Sequence, residues 1–297
     1  MENAVTVSVP RAGSRLRIPS LTGGILQKFI GRRANLFGAL LLAPLLFAAI
    51  AAPWLPLPAA TEVDTSSSLK APSAAHPFGT DKLGRDILSR VVMGGRVSLL
   101  VGFSASAIAL VVGITAGTLA VFLGRAVDSV VMGVVDILLS FPSLLLAIGF
   151  VAVFGPGIWQ VILAVALSDI PRAIRLQRAL SLGIRSRSYI DAARMASAPV
   201  WWVIVKHVLP NTIASMLVVG SAYAANAILA EAALSFLGLG IVPPAPSWGN
   251  IISDGRRFLQ EGWWICAFPG LAIIVTTVSL HLFSDGLRQT LDPRLES

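Results

Sequence analysis

Long apolar stretches separated by shorter polar ones recur along most of the chain. They are close to the about 20 residues that a helix needs to cross a bilayer, and they lack the strict alternation of a membrane β-strand. Because backbone polar groups cannot stay unpaired in hydrocarbon, stretches of this length are predicted to be helices. The predicted fold class is therefore an all-α polytopic membrane protein with six transmembrane helices, at residues 36–56, 96–122, 132–154, 158–178, 212–237 and 265–286.

The composition supports this prediction. Hydrophobic residues make up 55% of the chain and charged residues 13%, whereas an ordinary soluble domain carries about 25% charged residues. The net charge of +8 would suggest nucleic acid in a soluble protein, but most basic residues flank apolar stretches, where they act as topology signals. We therefore expect a lipid environment and no nucleic-acid partner. The single cysteine, Cys266, excludes a disulfide within the chain and a Cys-based metal site.

The distribution of Lys and Arg predicts which side of the membrane each loop occupies. The first apolar stretch exceeds the 7–15 residues of a signal-peptide core, so we read it as a retained helix with a cytoplasmic N-terminus. Sixteen of the 23 Lys and Arg residues then lie inside and seven outside, which agrees with the positive-inside rule. The predicted organisation is a cytoplasmic tail at 1–35, a first helix at 36–56, an outer loop at 57–95, a transmembrane domain at 96–286 with an internal loop at 179–211, and a cytoplasmic tail at 287–297.

The internal loop is too long and too patterned for a simple connector. It predicts a short helix from Tyr189 to Ala196, a break at 197–199, and a second short helix from Val200 to Val208 that Pro210 stops. Ser197 is the predicted N-cap of the second helix. Two short helices that meet at a bend would form a protruding knob.

This knob resembles the EAA loop of ABC importer permeases. The sequence carries Asp191-Ala192-Ala193 where that loop has Glu-Ala-Ala, Ser197 at its glycine position, and Leu209-Pro210 at its close. Asp in place of Glu shortens the acidic side chain by one methylene. Ser in place of Gly removes free access to positive φ.

Five further blocks follow the order of the dipeptide/oligopeptide/nickel family of these permeases. The chain resembles the smaller of the two permeases that the family pairs, and the resemblance implies a type I ABC importer fold. The matching blocks are HPFGTDKLGRDILSRVVMGGRVSLLVG, DILLSFPSLLLAI, LAEAALSFLGLG, PPAPSWGNII and DGLRQTLDPRL.

The resemblance also implies partners. The chain has no GxxxxGK[ST] loop, so it is not expected to be an enzyme or to bind a cofactor, and ATP must be hydrolysed elsewhere. In the family, a second permease, two ATPases that hold ATP and Mg²⁺, and an extracytoplasmic substrate-binding protein complete the importer in a bacterial or archaeal cytoplasmic membrane. Peptides are the expected cargo, with nickel complexes or other small solutes as the alternative. An ion-coupled secondary transporter is the rival class, but the chain shows no inverted repeat.

The resemblance places contacts with an ATPase on the knob. The candidate coupling residues are Tyr189, Asp191, Ala192, Ala193, Arg194, Ser197, His207 and Pro210. The alternative is that Asp191 and Arg194, three residues apart on one helix, only pair with each other.

Two other sets of candidates come from the remaining blocks and from buried charge. The resemblance suggests that Asp81, Arg85, Asp86 and Trp248 face the binding protein, although the outer loop could equally be a lid that shields the bundle. Charged groups inside spans are costly and often functional, so Glu231 and Asp136 are candidates for the translocation pathway. Structural bonding between helices is the alternative for Glu231. Prolines 142, 171 and 269 are expected to bend their spans.

Overall fold

The computed structural model describes residues 33–291, which form a bundle of helices without a β-strand in that range. The helices are α1 (Arg33–Ala51), α2 (Ile87–Phe122), α3 (Arg125–Leu139), α4 (Ser143–Phe154), α5 (Ile158–Arg185), α6 (Ser188–Met195), α7 (Val200–Val203), α8 (Leu209–Phe236), α9 (Trp248–Gly255) and α10 (Trp264–Leu291). The all-α prediction is confirmed. Most of the predicted 1–35 tail lies outside the described residues, and α10 occupies 287–291, which was predicted to be tail.

Helix α2 is the centre of the bundle. The Asp86 carboxylate caps its first turn by accepting hydrogen bonds from the backbone N–H (2.8 Å) and the hydroxyl (3.0 Å) of Ser89. Buried glycines let the neighbouring helices approach closely: a Cβ on Gly113 would lie 2.4 Å from the Cβ of Ala173 in α5, and one on Gly102 would lie 2.5 Å from Ile228 in α8. Small residues therefore set the packing distance between these helices, as is typical in membranes.

The six predicted spans correspond to helices, but the count of six is not fully reproduced. By length and composition, only Ile87–Phe122, Val200–Phe236 and Trp264–Gln289 qualify as spans within the described residues, and the bent pair α3 and α4 makes up to a fourth. The apolar part of the first span, Gly38–Trp54, is shorter than a full crossing. Helix α5 is 28 residues long, but it carries four arginines and an aspartate and is not among the qualifying helices.

Breaks and turns revise several predicted boundaries. The predicted span 132–154 is two helices that meet at 91°, with Pro142 at the start of α4, so the bend expected at this proline is confirmed. The predicted inner loop 123–131 shrinks to two residues, because α3 begins at Arg125. Pro171 and Pro269 lie inside continuous helices.

Pro210 does not stop the second knob helix. The chain forms a π-turn at Ile204–Val208 and continues directly into α8, so residues 200–236 are one continuous helical segment. In the π-turn the backbone N–H of Leu209 reaches back five residues to the carbonyl of Ile204. Because Pro210 stands in the first turn of α8, where its missing N–H is tolerated, the helix passes through it.

Candidate functional site

The knob is residues 188–208, and its bend is a defined C-terminal cap. The backbone N–H of Ala198 donates to the carbonyl of Ala193 (3.0 Å), and that of Ser197 donates to Arg194 (2.9 Å). These two bonds form a Schellman motif with Ser197 in the left-handed region at φ 59°. Ser197 thus adopts the conformation that a glycine would take there. The prediction that it is the N-cap of the next helix is wrong, since Pro199 holds that position without a side-chain bond.

Apolar side chains fix the inner face of the knob to the bundle. Ile190 and Val208 are fully buried, and Val203 is nearly so. The His207 ring lies between two aromatic rings, with centroid distances of 5.6 Å to Tyr189 and 5.1 Å to Trp202. His207 therefore links the two arms of the knob.

The outer face of the knob is exposed and largely apolar. Met195 is 83% exposed and Trp201 65%, and Val205 and Tyr189 are also exposed. Exposed apolar patches of this kind are typical of surfaces at which proteins contact other molecules. Trp201 and Met195 were not among the predicted coupling residues, although two adjacent tryptophans at 201 and 202, in a loop predicted to lie outside the bilayer, were a signal.

Exposed positions on the knob include several of the predicted coupling residues. Asp191, Ala192 and Arg194 are exposed, and Ala193 is half-buried. Asp191 and Arg194 do not pair: within residues 33–291 neither forms an ion pair, and the Arg194 guanidinium lies 5.9 Å from the centroid of the Phe122 ring. The alternative in which these two charges serve only each other is wrong for this structure.

Glu231 is sealed within the bundle. Its side chain is fully buried and accepts hydrogen bonds from the hydroxyls of Ser98 (2.8 Å) and Ser235 (2.7 Å). The Ser98 oxygen also accepts from the backbone N–H of Trp248 (3.3 Å). Glu231 thus ties α8 to α2 and to the start of α9, which favours structural bonding over a place in the pathway.

Asp136 lies at an exposed position on α3. Its carboxylate is 62% exposed and accepts a bond from the Arg175 guanidinium of α5. A second pair, between Asp128 and Arg178, links the same two helices through two bonds. Because Asp136 is exposed, it could face a translocation pathway. Glu231 could not, because the helices of this chain bury it completely.

At the opposite end, residues 57–86 and 247–264 form what we call the cap. Its centre is Asp81, which accepts bonds from Arg85 Nε (2.6 Å) and Arg90 Nη1 (2.5 Å). Both arginines also contact the Asp254 carboxylate, at 3.2 and 3.1 Å. Two anions and two cations thereby join the outer loop, α2 and α9.

The side chains predicted to face a binding protein are buried in this cap. Asp81, Arg85 and Asp86 are at most 8% exposed, and Trp248 is 2% exposed with its indole N–H donating to the Val91 carbonyl (2.9 Å). The Asp86 carboxylate, besides capping α2, lies 3.0 Å from His76 Nδ1. These four side chains therefore hold the cap together, and a partner at this end would have to contact other residues.

Tight backbone contacts also shape the cap. Gly84 has φ 71°, and a Cβ at this position would lie 1.7 Å from the Asp64 carbonyl oxygen. Trp264 packs against Gly79 and donates its indole N–H to the Thr80 carbonyl (3.0 Å). The outer loop is thus fixed to the first turn of α10, and the glycines in HPFGTDKLGRD are required for these contacts.

Comparison with known proteins places this architecture among transport proteins. The sequence model of a family described as "Binding-protein-dependent transport system inner membrane component" matches residues 109–297. A putative peptide transport system permease of Brucella suis is 41% identical over 270 residues, which cover 91% of each chain. A probable D,D-dipeptide transport system permease of Escherichia coli is 39% identical, with 89% of each chain covered. A di/tripeptide transport system permease of Pseudomonas aeruginosa is 37% identical, with 98% of each chain covered.

Proposed function

The chain belongs to the family of binding-protein-dependent transport system inner membrane components, and from this premise we propose that it is one of two permeases in an ATP-driven importer of small peptides. The observation that carries the cargo assignment is the set of relatives named as peptide, D,D-dipeptide and di/tripeptide permeases, which align with at least 89% of the chain. The family model matches residues 109–297, whereas these alignments cover nearly the whole chain and therefore also include the outer loop.

The energy for transport comes from a separate ATPase that binds the knob. The apolar outer face formed by Met195, Trp201 and Val205 supplies the kind of surface that another protein buries. Asp191 and Arg194, which form no ion pair within residues 33–291, supply directional contacts around it. ATP and Mg²⁺ are held by the partner, since this chain has no phosphate-binding loop.

We assign the knob end to the cytoplasm and the cap to the extracytoplasmic side. The excess of Lys and Arg in the segments near the knob supports this orientation. A binding protein would then meet the cap through its exposed polar side chains, such as Lys82, Arg256, Arg257 and Glu261, while the ion pairs beneath keep that surface in shape.

The translocation pathway runs between this chain and the second permease. The exposed pair of Asp136 and Arg175 is our candidate for its lining, because a partly exposed ion pair on a membrane helix is poorly suited to lipid. The 91° bend between α3 and α4 leaves a non-helical break at residues 140–142, about one turn after Asp136 in the chain. Irregular backbone at membrane depth is tolerated where it lines a cavity or is covered by protein.

The test is uptake by the complete importer. The complex, purified through a tag on this chain, is reconstituted in vesicles with ATP inside and the binding protein outside, and a labelled dipeptide is supplied. We expect uptake that depends on ATP and on the binding protein, and none when the ATPase subunits cannot hydrolyse ATP. Uptake of Ni²⁺ complexes without peptide uptake would overturn the cargo assignment, and ATP-independent uptake driven by an ion gradient would overturn the importer class.

A further inference from the structure

A cavity of about 1140 Å³ opens between α5, α8 and α10 at the knob end of the bundle. It is larger than the 300–1,000 Å³ of most small-molecule sites. Arg187, which precedes α6, and Pro210, which begins α8, are among its lining residues. The cavity therefore adjoins both ends of the knob.

The α5 side of the cavity is apolar, with Leu176, Leu180 and Ile184 recurring every four residues, and Val218 and Val219 of α8 extend this apolar surface. The lining also includes polar side chains of α8 and α10, namely Asn211, Thr212, Ser215, His281 and Ser284. Water in the cleft would leave these apolar side chains hydrated, whereas a hydrocarbon chain would remove their surface from water, which is favourable. The shape and chemistry of this wall suit an acyl chain running along the helices.

The rim of the cavity carries charge of both signs. Arg187 and Arg288 contribute two guanidinium groups, and Asp285 contributes one carboxylate. None of the three forms an ion pair with another residue in the range 33–291, whereas Arg175 and Arg178, farther up α5, are both paired. The rim thus offers two cationic groups and one anionic group to a ligand.

We propose that this cleft binds one aminophospholipid of the phosphatidylethanolamine type from the adjacent leaflet. The acyl chain lies along the α5 and α8 wall, the phosphate meets Arg187 and Arg288, and the ammonium meets Asp285. Basic pockets between membrane helices on the cytoplasmic side are typical binding sites for phospholipid headgroups. A headgroup without an amine would leave Asp285 unpaired, and a choline headgroup could not donate a hydrogen bond to it.

The site has a structural consequence for the knob. Its ligand would contact the residue before α6 and the first turn of α8, which are the two points where the knob leaves the bundle. Lipid occupancy would then hold these two points at a fixed separation. This inference needs the chain to be embedded in a membrane, but it does not depend on which cargo is carried.

The experiment measures phospholipid retained by the complete complex and ATP hydrolysis in two kinds of vesicle. One vesicle contains phosphatidylethanolamine with phosphatidylglycerol, and the other contains phosphatidylcholine with the same fraction of phosphatidylglycerol. We expect wild type to retain phosphatidylethanolamine through detergent exchange, as read by native mass spectrometry, and to hydrolyse ATP faster in the first vesicle. The paired variant Arg187→Gln with Arg288→Gln should bind this lipid about 30-fold more weakly, since each charge near the surface contributes roughly a factor of five.

Matched variants separate binding from folding. Arg96→Gln with Arg125→Gln removes two exposed arginines that do not line the cleft and should leave retention and lipid preference unchanged. Arg187→Lys with Arg288→Lys keeps both charges and should restore most of the retention. Asp285→Asn should retain phospholipid but lose the preference for the ethanolamine headgroup over choline.

Three results would overturn the proposal. The first is retention by the Gln pair equal to that of wild type, and the second is equal retention of the two headgroups by wild type. The third is absence of retained lipid from wild type; cross-linking of Leu180→Cys to the second permease would then assign the cleft to the interface between the permeases.

Discussion

Charged side chains are treated differently at the two ends of the bundle. At the cap end, Asp81 bridges Arg85 of the cap and Arg90 of α2, and all three side chains are buried. In the knob, Asp191 and Arg194 are exposed and form no ion pair within the described part of the chain. The cap charges pair within this chain, whereas the knob charges remain accessible for the ATPase contact that we propose.

Tryptophans show the same contrast. Trp248 in the cap is 2% exposed and donates its indole N–H to a backbone carbonyl, whereas Trp201 in the knob is 65% exposed. A tryptophan that is buried and hydrogen-bonded contributes to folding, and one that is exposed on a protruding surface contributes to binding. The cap is thus held together within one chain, whereas the knob presents the apolar surface that the proposed ATPase contact would bury.

The largest expected effect is a difference in stability between two variants, each of which removes one carboxylate charge, one in the cap and one in the knob. Asp81→Asn would leave Arg85 and Arg90 buried with only the half-exposed Asp254 as counter-ion, a loss of about 3–5 kcal/mol in the free energy of unfolding. Asp191→Asn changes an exposed residue and should alter that free energy by less than about 0.5 kcal/mol. Thermal unfolding of the purified permease measures both, and equal loss from the two variants would contradict the comparison.

The second effect is on assembly. Trp201→Ala removes the largest exposed ring of the knob and should weaken binding of the ATPase by about 2–4 kcal/mol, the range for a central aromatic contact. The amount of permease in the membrane should stay at the wild-type level. Trp54→Ala, at a tryptophan that is 78% exposed and far from the knob in sequence, is the matched control. Co-purified ATPase is the measurement, and full recovery with the Trp201 variant would remove this residue from the interface.

The third effect uses the two residues other than glycine that hold a positive φ in the described range, Leu69 in the cap and Ser197 in the knob. Glycine relieves about 1 kcal/mol of backbone strain at either position. Ser197 is exposed, so Ser197→Gly should slow hydrogen exchange across the knob. Leu69 packs against the core. Leu69→Gly therefore loses more stability, by leaving a cavity where the side chain was, than it gains from relief of backbone strain. Exchange of the 188–203 and 64–81 amides should therefore change in opposite directions.

The smallest expected effect is a local pH dependence in the cap. Hydrogen bonds from the hydroxyls of Ser66 and Ser67 hold the pKa of Asp64 below its usual value of 3.8. Because a lowered folded-state pKa stabilises the charged form, this contribution is present at neutral pH and is lost as the pH falls below 3.8. Protection of the Ser66 amide, which also donates to Asp64, should drop there in wild type. In Asp64→Asn, the exchange rate of the Ser66 amide, divided by the intrinsic exchange rate, should be independent of pH.

Some of these features could be predicted from sequence, and others depend on contacts between distant segments. The length and hydrophobicity of the apolar stretches identified the long helices. The burial of Asp81 and Arg90 could not be foreseen, because it depends on Asp254, which lies more than 150 positions away in the chain. Pro210 misled the prediction, since the expected helix break assumes regular i to i+4 bonding, and the π-turn before it relaxes that requirement.

The π-turn at Ile204–Val208 has a mechanical consequence. Because it replaces a break, the second knob helix and α8 form one 37-residue segment, about 55 Å long at 1.5 Å per residue. A rod of that length converts a rotation of roughly 10° at one end into a displacement of about 10 Å at the other. Glu231 lies on this helical segment close to the cap, where it bonds to Ser98 of α2. A torque applied at Trp201 would therefore exert a force on the hydrogen bonds that join α8 to α2.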